Sequence, residues 1–517
     1  MTALLLTLTF TALEPATLIR GATVYDGSGK PGVVTDVLLD GNSIKKIGKQ
    51  EPGPNQRVID GTGLVVAPGF IDMHTHSDTG LLGINVEEGR ANTPYVVQGV
   101  TTIVTGNCGL GPTDTAAFFK KLDKGAGSNV IHQVPHNSVR EKVMGNVNRA
   151  PTTEEQHKME QLVDQNMKDG AWGFATGLIY NPGTYAKTDE VVALAAVAGK
   201  HGGHYASHIR DESGGLLDAI SEAINVGKQA SCPVHISHIK CSGTAHHGKS
   251  AGAVALIEKA RKDGMKVTAD QYPYIASSTS LRATLVPSRY REGSHKDLVA
   301  RMDDPETGPK MKADIAKSLK ERGNGNLIQI ARYAPHPEWQ GKRISDVAAA
   351  EKRQPIDIVM EIERNGGAQI VNFGMNEEDV RLFMKQPWVA TASDGSNQKP
   401  GDTVPHPRSY GTFARKIGKY SIEDNVIPLE AAIRSASGLP ADILGFTDRG
   451  YIKEGYKADV VVLDPATYRD VATYEKPHQL STGVKWLFVN GQLVIEDGKH
   501  KPDVLAGRPL RHESKMK

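Results

Sequence analysis

The sequence predicts an α/β protein: a TIM-type βα barrel beside one small β-domain that both chain ends build together. Three observations carry this. Strand-like apolar runs alternate with helical stretches through the middle of the chain, and nearly every run stops at a His, Cys or Asp. Short alternating strands separated by turn signals occupy the two ends.

Taken in order, residues 1–13, "MTALLLTLTFTAL", form an apolar extension too short to span a bilayer. They have the texture of a signal-peptide core, yet no Lys or Arg precedes Arg20, and Glu14 and Pro15 make a poor cleavage site. The compartment therefore stays open between cytoplasm and periplasm. Residues 14–68, with "ATLIRGATVYDGSG" and "VTDVLLDGNSIKKIG", read as β-structure, and so do residues 440–517, with "GYIKEGYKADVVVLD" and "VKWLFVNGQLVIEDGK". Residues 69–439 carry the barrel runs "LVVAPGFIDMH", "TTIVTG", "GAWGFATG", "HYASH", "PVHISH", "KVTADQYPY" and "WVATASD". Charged helical sequence at about 287–367 breaks that rhythm and reads as an insertion or lid.

A chain of 517 residues with 39% hydrophobic and 23% charged side chains can bury a large core. Sixty-one basic against fifty-nine acidic residues leave a formal charge of +2, with no long run of one sign. This removes the electrostatic footprint of a nucleic-acid or membrane partner and leaves a small molecule. Oligomeric state is not legible. Three cysteines, Cys108, Cys232 and Cys241, are too few to staple such a chain, so thiol or metal roles take precedence over disulfides.

The chemistry gathers at the run ends. His74 and His76 in "GFIDMHTHSD" are two apart, a spacing that puts both imidazoles on one face of a strand and lets them share a metal ion. His208, His238 and Asp394 each close a run of their own. Cys108 in "TTIVTGNCGLGP" ends a run among glycines that permit close approach, and a thiolate is a strong zinc ligand. A phosphate-loop reading of "GNCGLG" fails because no Lys-Ser/Thr follows and Pro112 interrupts any helix start. His235 lies three residues from His238, out of step for one strand face, and is read as structural.

With these residues in place, the chain resembles the amidohydrolase superfamily and, within it, the D-aminoacylase (N-acyl-D-amino-acid deacylase) family. The blocks "PGFIDMHTHSD", "GNCG", "GFATGLIYNPGTYAKTDE", "YASHIRDE", "SHIKCSG", "DQYPYIASST", "ASDGS" and "HPRSYGTFARKIG" occur in that family's order along nearly the whole chain. The resemblance implies a (β/α)8 barrel with a β-sandwich and zinc-dependent hydrolysis of the amide of N-acyl-D-amino acids. It also implies a ligand arrangement: Cys108, His208 and His238 on a tightly bound zinc, with His74, His76 and Asp394 forming a second, weaker metal position. Many members of the superfamily bridge two metals with a carboxylated lysine; the segment Gly173 to Leu178 has no lysine, and the resemblance implies a cysteine in that bridging role.

Metal-activated water and an Asp394 proton shuttle follow from that set. By the family's pattern Tyr180, Lys240 and Tyr272 touch substrate, and Arg282 is added as a further cation for a carboxylate. Arg210, Asp211 and Glu212 directly follow a ligand, and His406, Arg408 and Tyr410 lie together; both groups are expected to orient ligands or close loops. A dipeptidase releasing a C-terminal D-residue shares the same carbonyl and carboxylate and stays open. A cyclic amidohydrolase of hydantoinase or dihydroorotase type is disfavoured by Cys108 and the missing lysine, and a non-catalytic scaffold by the complete ligand set.

Overall fold

The computed structural model describes residues 15–82, 86–398, 400–401 and 403–514; the apolar stretch 1–13 lies outside the described residues. Parallel strands form the barrel: Phe70–Asp72, Val100–Thr105, a third in two pieces (Asn129–His132 and Val134–Pro135), Gly173–Gly177, His204–His208, Val234–Ile236, Val267–Gln271 and Val389–Thr391. A parallel bridge between Thr75 and Gly395, with hydrogen bonds from the Asp394 N–H to the His74 carbonyl and from the His76 N–H to the Gly395 carbonyl, joins the last segment to the first. These contacts place Asp394 beside the histidine pair.

The strands are short and almost wholly buried, as parallel strands enclosed by helices must be. Thr153–Lys168 starts at a capping box between Thr152 and Glu155. Leu216–Ala230 turns Leu216, Ala219, Ile220, Ala223 and Val226 inward at helical spacing and stops where Ser231 turns left-handed at φ 53°. Their apolar stripes meet Phe174, Tyr205, Val234, Val267 and Val389 in one core.

Strands from both ends of the chain share one nine-stranded sheet. Thr17–Val24 pairs with Val33–Asp40 and with Val65–Pro68, and Val65–Pro68 pairs antiparallel with Val460–Leu463, Pro68 facing Val460. Alternation along Val460–Leu463 buries both faces. Val461 and Leu463 join the core that also holds Phe70 and Val100 of the barrel, whereas Val460 and Val462 pack with Ile19, Val37 and Phe488.

Between the last two barrel strands a three-stranded antiparallel sheet (Ser277–Ser280, Ile328–Arg332, Gln369–Asn372) carries four main helices from His295 to Arg364. Leu281, Met311, Ile315, Ile330 and Ile362 give it a core of its own. Its strand Ser277–Ser280 reaches the carboxyl ends of the barrel strands, where the Ser278 carbonyl accepts from Arg408. Among the described residues no helix is long and apolar enough to cross a membrane.

Candidate metal centre

Local backbone geometry aims the candidate ligands at one point. Cys108, His238 and Asp394 all adopt left-handed φ values (52°, 36° and 49°), so the chain turns sharply where it leaves each strand and presents the side chain inward. Gly177 at the end of the fourth strand is what lets the Cys108 turn approach: a Cβ there would stand 2.1 Å from the Cys108 carbonyl oxygen.

The Cys108 Sγ lies 3.4 Å from each of three imidazole nitrogens, His74 Nε2, His208 Nδ1 and His238 Nε2. Asp394 Oδ1 lies 3.1 Å from His76 Nε2 and 3.6 Å from His74 Nε2. Two groups of donors result, His74, His76, Cys108 and Asp394 in one and Cys108, His208 and His238 in the other, with Cys108 common to both. Donors about 2.0–2.3 Å from one tetrahedral ion stand about 3.5 Å apart, so these separations and this mixture of thiol and imidazole fit zinc. Burial holds the His208 and His238 imidazoles well below their usual pKa and therefore neutral, the form a ligand needs. Burial, and after it Asp394, pushes the bare Cys108 thiol well up.

Other carboxylates fix the imidazoles. Glu212 Oε1 is 3.0 Å from His238 Nδ1 and Oε2 is 3.6 Å from His208 Nε2, on the sides of those rings facing away from Cys108. Asp270 does more. Its Oδ1 accepts the N–H of His238 at 2.6 Å, while Oδ2 is 2.8 Å from His235 Nε2 and 3.6 Å from His74 Nδ1. Burial opposes its ionisation, but the His235 hydrogen bond and then His74 hold the carboxyl well below the usual range. Sequence reading passed over Asp270, whose only signal was a carboxylate inside the apolar run "KVTADQYPY".

A cavity of about 700 Å³ opens on this centre and is lined by His76, Cys108, Tyr180, Asp394 and Arg408. Burial alone would raise the Asp394 carboxyl, but Arg408, at 2.5 Å from Oδ2, and then His238 hold it well below the usual range. The Arg408 guanidinium lies 4.9 Å over the Tyr272 ring and donates to the Ser278 carbonyl. Tyr180 sets its ring 4.9 Å from that of His208 and its hydroxyl 3.0 Å from Thr279 Oγ1.

The other sequence candidates surround the centre. The Lys240 ammonium contacts Glu212, the His238 carbonyl and, at 2.8 Å, the His238 Nδ1, and lies 5.7 Å over the Tyr272 ring. Arg282 pairs with Glu363 at 2.7 Å in a side recess. Arg210 pairs with Glu222 and donates to the carbonyls of Thr184 and Ala186, tying down that loop. Buried His406 bonds the Ala276 carbonyl and the Arg408 N–H, while Asp211 caps the turn to Ser213. A larger cavity, about 1160 Å³, lies at the opposite end of the barrel between Trp172, Trp388 and Phe446 and holds none of these side chains.

A family model described as the amidohydrolase family matches residues 57–495. The chain belongs to the amidohydrolase family. It is 35% identical over 519 residues to the D-aminoacylase of Alcaligenes xylosoxydans xylosoxydans, covering 95% of this chain and 97% of that one. The N-acyl-D-aspartate deacylase of the same organism is 34% identical over 502 residues, covering 92% and 91%. The crystal structure of N-acyl-D-glutamate deacylase from Bordetella bronchiseptica, complexed with zinc and a phosphonate mimic of the tetrahedral intermediate, superposes with a TM-score of 0.81 at 31% identity, covering 96% of this chain and all of that one. The barrel and β-domain expected from the run pattern agree with these relatives, and the chain stands in the D-aminoacylase branch of the family.

Proposed function

We propose that this protein hydrolyses the amide bond of N-acyl-D-amino acids to a carboxylate and a free D-amino acid. Cys108, His208 and His238 would hold the tight zinc, and His74, His76 and Asp394 would complete a second, weaker position. The observation that carries this reading is the Cys108 thiol equidistant from three imidazoles beside an arginine-lined cavity that reaches Asp394. Zinc supplies the Lewis acidity, lowering the pKa of a water from about 16 toward about 7 and polarising a carbonyl.

The chain's own residues do the rest. Asp394, kept ionised, accepts the proton of the attacking water and passes it to the departing amine nitrogen. Arg408, held flat on Tyr272, is the buried cation on the cavity wall and receives the substrate α-carboxylate. That second anion draws Arg408's charge away from Asp394 and raises the basicity of Asp394 as substrate docks. Tyr180, packed against His208 on the cavity wall, is a further contact for the substrate.

Amine release from matched N-acetyl-D- and N-acetyl-L-amino acids by the zinc-loaded protein tests the reading. Hydrolysis confined to the D series is expected; inertness toward both overturns it. The ligand support has its own test. Asp270→Asn is expected to weaken zinc binding about ten- to a hundredfold, read as zinc content after dialysis against graded chelator, because His74 and the His238 backbone lose their shared anchor.

A further inference from the structure

The third barrel strand stops at Pro135, opposite Ala175, and the chain there enters the helix His136–Met144. The fourth strand runs on to Gly177, past the end of that ladder. The Asn137 side chain stands in for the missing strand. Its Oδ1 accepts the Gly177 N–H at 3.2 Å, and its Nδ2 donates to the Gly177 carbonyl at 3.0 Å. Nδ2 also donates to the Tyr180 carbonyl at 3.1 Å. The residue is fully buried and both amide hydrogens are used, which fixes the orientation of the group.

The same amide supports the Cys108 turn. A Cβ at Gly109 would stand 2.2 Å from Asn137 Oδ1, and one at Gly183, in the loop beyond Tyr180, 2.5 Å from it, so both segments rest directly on the amide. Next along the helix, the Ser138 Oγ accepts the Gly111 N–H at 3.2 Å. One buried side chain thus joins the turn whose thiol is common to both ligand groups to the loop whose tyrosine packs on His208 and lines the cavity. We infer that Asn137 is a positioning residue: it sets the Cys108 thiol and the Tyr180 wall at one spacing, and so governs metal geometry and substrate fit together. Its action at Cys108 stands on the donor geometry, whereas its action on substrate rests on the deacylase reading above.

Two variants of the full chain test it. Asn137→Asp is close to isosteric, keeps the acceptor for the Gly177 N–H and loses the amide donors; Asn137→Ala loses all three bonds. With cobalt loaded in place of zinc, the thiolate-to-cobalt charge-transfer band reports the Cys108 sulfur without any turnover. That band is expected to shift or weaken in both variants at full occupancy, more in Asn137→Ala. In the zinc-loaded forms, KM for the best N-acetyl-D-amino acid is expected to rise about tenfold while kcat falls less. A residue that only stabilises the fold would lower the melting temperature and leave the band and KM of the folded protein at their native values. That outcome in Asn137→Asp overturns the assignment, whether or not Asn137→Ala folds. A native protein that lacks the band removes Cys108 as a ligand and the assignment with it. A native protein that shows the band but cleaves no N-acetyl-D-amino acid overturns the deacylase reading, and the cobalt spectrum alone then decides whether Asn137 positions the thiol.

Discussion

Cys108→Ala is expected to abolish tight zinc retention and to lower kcat/KM by at least about a thousandfold, because its sulfur is the one donor common to both ligand groups. Removing any single imidazole leaves one group whole, whereas removing the thiol opens both. Zinc content after gel filtration, measured beside steady-state rates, checks this. The fold should tolerate the change, since Cys108 sits in a turn shaped by its backbone and by Gly177. A variant that keeps both its zinc and its turnover would rule out Cys108 as a ligand.

Asp394→Asn separates binding from proton transfer. Zinc at Cys108, His208 and His238 is expected to remain, while kcat falls about 10³- to 10⁴-fold for want of a base. The variant also leaves Arg408 buried beside a neutral amide, so stability is expected to drop by about 3 kcal/mol in urea unfolding. Unchanged turnover would remove Asp394 from the proton path.

The candidate ligands were legible because a parallel barrel gives all its strand ends one address. A His, Cys or Asp closing each apolar run is then enough to bring His74, His76, Cys108, His208, His238 and Asp394 together with no knowledge of the helices. What holds them was not legible. Asp270 reaches His235 and His74 on other strands, and strand register is not written in the run that contains it. Lys240 lies two residues past His238, and its contacts with Glu212 and the His238 ring depend on how the chain turns there, which leaves no mark in the sequence. Arg408 read as an orienting residue, but only the packing of Tyr272 and Ser278 around it shows that its guanidinium faces the cavity.

The pairing of Pro68 with Val460 has a consequence for how the molecule is made. On a ribosome, the strand Val65–Pro68 emerges about twenty to eighty seconds before its partner at ~5–20 residues per second. Through that interval its apolar edge has no mate. Its partner strand lies about 390 residues further along the chain, so a chain released before that strand is made leaves the β-domain sheet open at this edge. Nascent-chain holdases, rather than stability of the finished enzyme, should therefore set how much of it a cell accumulates.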